Sequence, residues 1–130
     1  MPQYTALVTL LVVAFYFFVA TRVARAHIKF NVMLPAMTGH PDFERVYRVQ
    51  MNTLEWMPTF LVPLWLCAFY LGDITAAVLG LIWIGGRVLY FTGYTKAVEK
   101  RFPGFAVQAV ACALLFIGAL AGIIMHWSGG

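Results

Sequence analysis

The residues best suited to binding chemistry lie in one polar stretch of an otherwise apolar chain, ERVYRVQMNTLEW. Arg48, Asn52 and Glu55 follow at intervals of four and three residues, so on a helix they share one face over about 10 Å. An arginine can hold a carboxylate, an asparagine can pair with an amide, and a glutamate can accept from an ammonium group. The pattern predicts a site for a small zwitterionic ligand of peptide length with several carboxylates. An intrahelical salt bridge at a solvated helix end would explain the same residues.

A second polar stripe lies on the next apolar segment, and on a continuous helix its members fall within an arc of about 60°. It consists of Arg87, Tyr90, Tyr94 and Arg101. Two tyrosines alone would fit an aromatic belt at a membrane interface, but a belt does not need two arginines on the same face. Arg87 is the deeper arginine, and we expect it to have a structural role in an ion pair with Glu55 or Glu44.

Arg101, at the end of the second stripe, is suited to stabilising an anion. An arginine stays protonated and cannot act as a general base. A thiol with a pKa of about 8.5 is mostly neutral at physiological pH, and a nearby fixed cation favours the reactive thiolate. The chain's two cysteines, Cys67 and Cys112, lie deep in apolar runs, so we predict that they are buried and unreactive. The thiol would therefore come from a bound cosubstrate.

The composition places both stripes in a membrane protein. Of 130 residues, 62% are hydrophobic and 11% are charged, with a mean hydropathy of +0.83, whereas soluble domains have about 25% charged residues. The net charge of +4 could indicate nucleic acid, but the basic residues flank apolar segments. That position favours a role in membrane orientation, and we expect no nucleic-acid partner. The histidines show no metal-ligand spacing, so no metal site is predicted.

Four apolar segments predict an all-α integral membrane fold, a bundle of four transmembrane helices in a single domain over residues 1–130. The segments are 4–20, 56–71 after an amphipathic start near Phe43, 74–94 continuing as a polar helix towards Lys100, and 105–127. Each is close to the ~20 residues that cross a bilayer. The first segment lacks a basic start and a clear cleavage site, which favours a retained helix over a signal peptide.

The connections between these helices differ in length. We predict a long loop over 25–41, a tight turn over 71–74 and a sharp break at 102–104. Pro58 and Pro63 predict a kink in helix two, and Gly118 and Gly122 form a GxxxG pattern that indicates close helix packing.

The distribution of charge predicts the topology. Basic residues lie in or beside the first and third loops: Arg22, Arg25, Lys29, Arg45, Arg48, Lys96, Lys100 and Arg101. The second loop carries only Asp73. The positive-inside rule places loops one and three in the cytoplasm and both termini outside, so both polar stripes reach the same membrane face.

Two motifs resemble those of the membrane-associated proteins in eicosanoid and glutathione metabolism, the MAPEG family. They are FERVYRVQMNTLE before one span and RVLYFTGYTKAVEKR at the end of the next. The resemblance covers essentially the whole chain. It implies a four-helix protomer, a homotrimer, and glutathione as a cosubstrate bound in a horseshoe shape between adjacent protomers.

The resemblance also implies roles for individual residues. By motif position, the glutathione ligands are Arg48, Asn52, Glu55, Tyr90 and Tyr94. Arg101 matches the arginine that stabilises the glutathione thiolate, which makes it the candidate catalytic residue. Gln50, on the opposite face of helix two, is expected to serve the neighbouring protomer's site.

The chain departs from the leukotriene-forming members of the family at three positions. Trp56 stands where they have a tyrosine, and His27 and Ile28 stand where they have a basic pair. His27 can replace one arginine's contact with glutathione, or it is a solvated loop histidine. Ile28 cannot act as an acid towards an epoxide, which favours broad transferase activity over leukotriene synthesis.

The sequence thus predicts a membrane glutathione S-transferase that conjugates the glutathione thiolate to hydrophobic electrophiles from the bilayer. Glutathione-dependent reduction of lipid hydroperoxides is a second expected activity. The alternative is a non-catalytic, lipid-binding member of the family, although Arg101 argues against it. A four-helix multidrug exporter would need an acid in its first helix, and residues 4–20 contain none.

Overall fold

The structure is a computed structural model that describes residues 1–129, and it confirms the all-α bundle. Four long helices follow one another: α1 (Gln3–Lys29), α2 (Pro41–Tyr70), α3 (Asp73–Tyr94) and α4 (Phe102–Ser128), with a short 3-10 helix (Val98–Arg101) before α4. Helices α2, α3 and α4 pack on one another, and α1 packs against α2 and α3. In the main core, the ring of Phe60 on α2 stacks on that of Trp83 on α3 at 4.0 Å between centroids.

Three of the helical segments are long and apolar enough to cross a membrane. They are Gln3–Lys29, Asp73–Tyr94 and Val98–Ser128. The second predicted span, in α2, is not among them, since the N-terminal half of α2 carries the polar stripe. That span stays a prediction.

The boundary of α1 differs from the prediction. The helix continues beyond the apolar segment 4–20 and past Arg25 to Lys29, so the connection to α2 is residues 30–40 and not 25–41. The extra turns carry Arg22 and Arg25, and arginine is a good helix former. An apolar pattern marks where a helix lies in lipid and not where the helix ends.

The connection between α3 and α4 also differs from the prediction. Helix α3 does not continue as a polar helix towards Lys100 but ends at Tyr94, and residues 95–97 turn the chain. No break occurs at 102–104, because α4 begins at Phe102 and Pro103 lies in its first turn. Proline is favoured there, since the first N–H groups of a helix have no intrahelical partner.

The bundle has two distinct ends. At one end, α1 is tied to the tight α2–α3 turn, where the Asp73 carboxylate accepts from the backbone N–H groups of Tyr4 at 3.0 Å and Thr5 at 2.8 Å. At the other end, Arg45 Nε donates to the carbonyl of Thr95 at 3.3 Å. Loops one and three therefore lie at the same end of the bundle, as the topology predicts.

Glycines allow the helices to approach closely around the core. A Cβ at Gly86 on α3 would lie 2.6 Å from the backbone nitrogen of Gln108 on α4. The two glycines of the GxxxG pattern face α2 of the same chain, since a Cβ at Gly122 would lie 2.7 Å from the carbonyl carbon of Tyr70. That pattern therefore packs α4 against α2 within the protomer.

Helix α2 runs unbroken past both of its prolines. Pro63 has no N–H, so the carbonyl of Thr59 one turn earlier has no intrahelical donor. The thiol of Cys112 on α4 donates to this carbonyl at 3.3 Å. Cys112 is buried, as is Cys67, and both are free thiols as predicted. Within a bilayer, backbone groups cannot form hydrogen bonds with water, so a side-chain donor of this kind satisfies the carbonyl that the proline leaves free.

Candidate functional site

A cavity of about 340 Å³ brings most of the predicted site residues together. Its lining comes from α2, α3, the 3-10 helix and the start of α4: Arg48, Asn52, Tyr90, Tyr94, Arg101, Phe102 and Phe105. The two polar stripes therefore face one another across one cavity at the end of the bundle that carries loops one and three.

The start of α2 sets the position of its stripe. His40 caps the helix by accepting from the N–H of Asp42 at 3.1 Å, and Pro41 occupies the first turn. Arg48 and Asn52 lie one turn apart on the same face, which lines the cavity.

Arg101 lines the cavity although it does not lie on a continuous helix with Tyr94, as the predicted second stripe assumed. The chain leaves α3 at Tyr94, and the 3-10 helix folds back against it. Gly93 allows this approach, because a Cβ there would lie 3.0 Å from the carbonyl carbon of Lys100 and closer still to its oxygen. Arg101 Nη1 then donates to the carbonyl of Val98 at 2.8 Å.

Arg87 does not form the predicted ion pair with Glu55 or Glu44. It is fully buried, and its Nη1 donates to Asn52 Oδ1 at 2.8 Å while its Nη2 donates to Thr53 Oγ1 at 2.6 Å. Both predicted acids face elsewhere, since Glu44 accepts from the N–H of Gly39 at 3.1 Å and Glu55 pairs with Arg48. The structural role of Arg87 thus rests on neutral acceptors.

This contact sets the chemistry that Asn52 offers. With Oδ1 accepting from Arg87, the end of the amide that has no partner among the described residues is the NH₂ group, which can only donate. The Arg87 guanidinium also lies 4.4 Å from the ring centroid of Tyr90, which orients a second wall residue. A buried arginine thereby supports two of the residues that line the cavity.

Arg48 pairs with Glu55, so the salt bridge expected under the structural alternative is present. Nη2 of Arg48 lies 3.1 Å from Oε1 of Glu55 and Nη1 lies 3.4 Å from Oε2. The hydrogen bond to Glu55 raises the pKa of the Arg48 guanidinium above its ordinary value. The two side chains are 47% and 58% exposed, and exposed pairs contribute at most about 1 kcal/mol. A ligand with both charges can therefore separate them at small cost.

Three predicted ligands do not line the cavity within this protomer: Gln50, His27 and Glu55, the last of which is held by its pair with Arg48. Gln50 is half-buried and projects about 200° around α2 from Arg48. His27 is in the last turn of α1 and not in a solvated loop, with its Nδ1 2.8 Å from the carbonyl oxygen of Val32 and its ring 4.4 Å from that of Phe43. Neither residue lines the cavity that holds Arg48 and Arg101.

Phe102 and Phe105 line the cavity and were not predicted. In the sequence they are indistinguishable from the aromatic residues that face lipid. The one signal in the sequence is that both lie within two residues of Pro103, in the first turn of a helix that begins directly after Arg101.

The cavity is electrostatically suited to an anion. Its lining contains two arginines and no acidic residue. Within residues 1–129, Arg101 donates to a backbone carbonyl and forms no ion pair. The same part of the chain contains no cluster of three or more residues that could hold a metal ion.

An apolar groove of about 750 Å³ lies between the middle parts of α2 and α4. Trp56 lines the groove, and Phe105 lines the polar cavity. Their rings meet edge to face at 5.7 Å between centroids. The groove and the polar cavity therefore share one aromatic wall.

Comparison with known proteins agrees with the two sequence motifs. The MAPEG family model matches residues 5–121. An uncharacterised protein of Synechocystis is 48% identical over 119 residues, which cover 92% of this chain and 87% of that protein. Human microsomal glutathione S-transferase 2 is 45% identical over 102 residues, 78% of this chain and 69% of the relative. Guinea-pig (Cavia porcellus) leukotriene C4 synthase is 38% identical over 122 residues, 94% and 81% respectively. The chain belongs to the MAPEG family.

Proposed function

We propose that this integral membrane protein is a glutathione S-transferase that conjugates glutathione to apolar electrophiles. The observation that carries the proposal is the single cavity in which Arg48, Asn52, Tyr90 and Tyr94 surround the space next to Arg101. The names of the relatives support it, since one is a microsomal glutathione S-transferase and another a leukotriene C4 synthase.

The polar groups suit the functional groups of glutathione. The tripeptide has two carboxylates, one ammonium group, two amides and a thiol. Arg48 can hold a carboxylate in bidentate fashion once it leaves Glu55, and Glu55 can then accept from the ammonium group. Asn52 offers its NH₂ to a carbonyl or carboxylate, and the hydroxyls of Tyr90 and Tyr94 can donate as well.

We assign the other two predicted ligands, Gln50 and His27, to the site of a second protomer, since among the described residues neither pairs with a residue of the cavity as Glu55 pairs with Arg48. Both lie outside the cavity of their own chain, and Gln50 faces away from Arg48 around α2. In the proposed homotrimer, each of these residues completes the site of a neighbouring protomer. We further propose that loops one and three, and hence the glutathione site, face the cytoplasm.

Arg101 provides the chemistry. Its fixed positive charge favours loss of the thiol proton to water and holds the resulting thiolate. The sulfur lone pair then forms a C–S bond with the electrophilic carbon, and the electron pair of the broken bond leaves with the leaving group or epoxide oxygen. That oxygen or leaving group takes its proton from solvent, because the arginine does not release one.

The apolar groove gives the electrophile a route. It is lined by Trp56, two prolines and apolar residues of α4, and it meets the polar cavity at the contact between Trp56 and Phe105. A lipid hydroperoxide could follow the same route. The thiolate would attack the O–O bond to release an alcohol, and a second glutathione would convert the sulfenic acid to glutathione disulfide and water.

The test is stopped-flow ultraviolet absorbance of the thiolate on mixing the purified protein with glutathione. We expect a thiolate signal in the native protein and a much weaker one in Arg101→Ala. Lys100→Ala is the matched control, since it removes a neighbouring positive charge whose residue does not line the cavity.

An unchanged signal in Arg101→Ala would contradict the role given to Arg101. If the native protein gave no signal and no turnover of a chromogenic electrophile, yet bound fatty acids, the non-catalytic lipid-binding alternative would hold.

A further inference from the structure

A second polar cavity, of about 610 Å³, opens at the same end of the bundle between α1, α2 and the end of α3. Its lining contains five basic side chains and one acidic side chain: Arg22, Arg25, Lys29, Arg45, Lys96 and Asp42. It shares no lining residue with the cavity that contains Arg101. A ligand of this second cavity would therefore bind independently of the proposed transferase activity.

Most of the positive charge around this cavity is not neutralised. Asp42 is paired with Arg45, whose Nε also donates to the Thr95 carbonyl at 3.3 Å, so these two residues form a fixed wall. The other four basic side chains make no hydrogen bond or ion pair with any residue in the part of the chain that the structure describes: Arg22, Arg25, Lys29 and Lys96. Arg22 and Lys29 lie over the rings of Phe18 and Phe30, contacts that leave their charge intact.

Four cations around one cavity repel one another, and an anion held between them adds an attraction to each that offsets this repulsion. The guanidinium groups of Arg22 and Arg25 suit phosphate in particular, since they can bind two of its oxygens at once. The ammonium groups of Lys29, at the end of α1, and Lys96, after α3, add further positive charge. The chemistry of the lining therefore selects a phosphate.

The depth of the cavity identifies the source of that phosphate. Arg22 lies two residues beyond the uncharged stretch 4–20 of α1, at the boundary of the predicted membrane span. One turn further into the membrane, Phe17 and Phe18 are 66% and 47% exposed on the surface of α1. A lipid could place its headgroup in the cavity and its acyl chains along this apolar surface. A free phosphate would use only the first of these features.

We propose that this cavity binds the phosphate headgroup of an anionic phospholipid at the membrane face that carries loops one and three. Basic pockets between transmembrane helices recognise lipid headgroups in this way, and each basic residue near such a surface contributes about 1 kcal/mol, equivalent to about fivefold in affinity.

The experiment uses the full chain in neutral detergent and follows its thermal unfolding. The probes are short-chain phosphatidylglycerol, short-chain phosphatidylcholine with the same acyl chains, and inorganic phosphate. A ligand that binds the folded protein raises the unfolding temperature in a saturable way. We expect a saturable rise with phosphatidylglycerol alone, which yields an apparent dissociation constant.

Three single substitutions of the same kind locate the site. Lys29→Gln and Lys96→Gln each remove one charge from the cavity, and we expect each to weaken phosphatidylglycerol binding about fivefold. Lys100→Gln removes one exposed charge four residues beyond Lys96 and outside the cavity, and it should leave the affinity unchanged. The double variant Arg22→Gln/Arg25→Gln should weaken binding about 25-fold if the two contributions add.

Three results would overturn the proposal. A rise of the same size with phosphatidylcholine would show that the acyl chains and not the headgroup are recognised. A rise of the same size with inorganic phosphate would show that the lipid is unnecessary. An equal loss of affinity in Lys29→Gln and Lys100→Gln would show that general charge, and not this cavity, attracts the lipid.

Discussion

Arg87 donates to Asn52 across the α2–α3 interface, with 2.8 Å between Nη1 and Oδ1. The arginine is completely buried, and the asparagine lines the polar cavity. This contact fixes the orientation of the amide, with Oδ1 towards Arg87 and the NH₂ group without a partner among the described residues. A residue that does not line the cavity thus determines the hydrogen-bonding character of one that does.

Arg87→Lys should weaken glutathione binding without abolishing thiolate formation. A lysine keeps the charge but cannot reach Asn52 and Thr53 with the same forked geometry, so Asn52 loses its orientation. Loss of one hydrogen bond to a charged group amounts to about 1.5–3 kcal/mol, and we expect the glutathione dissociation constant to rise about tenfold or more. A titration of the thiolate absorbance measures this constant separately from the amplitude at saturation.

Thr53→Val is the control for that variant. It removes the second acceptor of Arg87 but leaves the contact with Asn52 in place. We expect a lower unfolding temperature and a smaller change in glutathione affinity than in Arg87→Lys. Equal affinity in Arg87→Lys and the native protein would show that the orientation of Asn52 does not matter for binding.

Glu55→Gln should separate the binding role of the polar stripe from its structural role. The exposed pair with Arg48 contributes at most about 1 kcal/mol to stability, so the unfolding temperature should change little. The ammonium group of glutathione would lose its charged acceptor, and we expect affinity to fall about tenfold, as for one charge-assisted hydrogen bond. Isothermal titration with glutathione gives the affinity.

An analogue of glutathione that lacks the amino group provides the matching control for Glu55→Gln. The variant and the native protein should bind it with similar affinity, because the interaction in question is absent from both complexes. If Glu55→Gln bound glutathione as tightly as the native protein, the salt bridge would be the whole function of Glu55.

The two stripes could be predicted from sequence because helical periodicity alone determines which side chains share a face. The turn that separates Arg101 from α3 could not be predicted, since residues 95–97 contain neither proline nor glycine to mark it. The break was instead predicted at Pro103, a residue that equally well begins a helix. Arg101 still faces Tyr94 because the 3-10 helix folds back on α3.

The partners of Arg87 were missed for a different reason. Charge complementarity predicts an acid as the partner of an arginine, but a buried guanidinium can also be satisfied by neutral oxygens on an adjacent helix. Asn52 and Thr53 were neutral members of a polar stretch, and nothing in the spacing of α2 relates them to a residue 34 or 35 positions later. That relationship arises from the packing of α2 on α3.

Gly93→Ala should remove Arg101 from the site while leaving the binding stripe intact. The added methyl group would lie 3.0 Å from the carbonyl carbon of Lys100, which is backbone and can respond only by moving the 3-10 helix. We expect glutathione to bind, since Arg48 and Asn52 are on α2, and the thiolate signal to fall towards that of Arg101→Ala.

Gly85→Ala is the matched control for the effect of an added methyl group on α3. A Cβ at Gly85 has no neighbour within 4 Å, and alanine favours a helix over glycine by about 0.5–1 kcal/mol. This variant should keep the full thiolate signal and unfold at the same or a slightly higher temperature. A full signal in Gly93→Ala would contradict the importance of the close approach.

Cys112→Ala should destabilise the bundle through the backbone of a different helix. The substitution leaves the Thr59 carbonyl without a donor in an apolar environment, at a cost of about 1–3 kcal/mol, in addition to the loss of the sulfur from the core.

Pro63→Ala on its own restores the N–H that this carbonyl lacks. The double variant should therefore recover part of the loss, and its unfolding temperature should lie above that of Cys112→Ala. Strict additivity of the two substitutions in a double-mutant cycle would mean that the thiol and the proline act independently. Cys112→Ser should retain most of the stability, since a hydroxyl can donate to the same carbonyl.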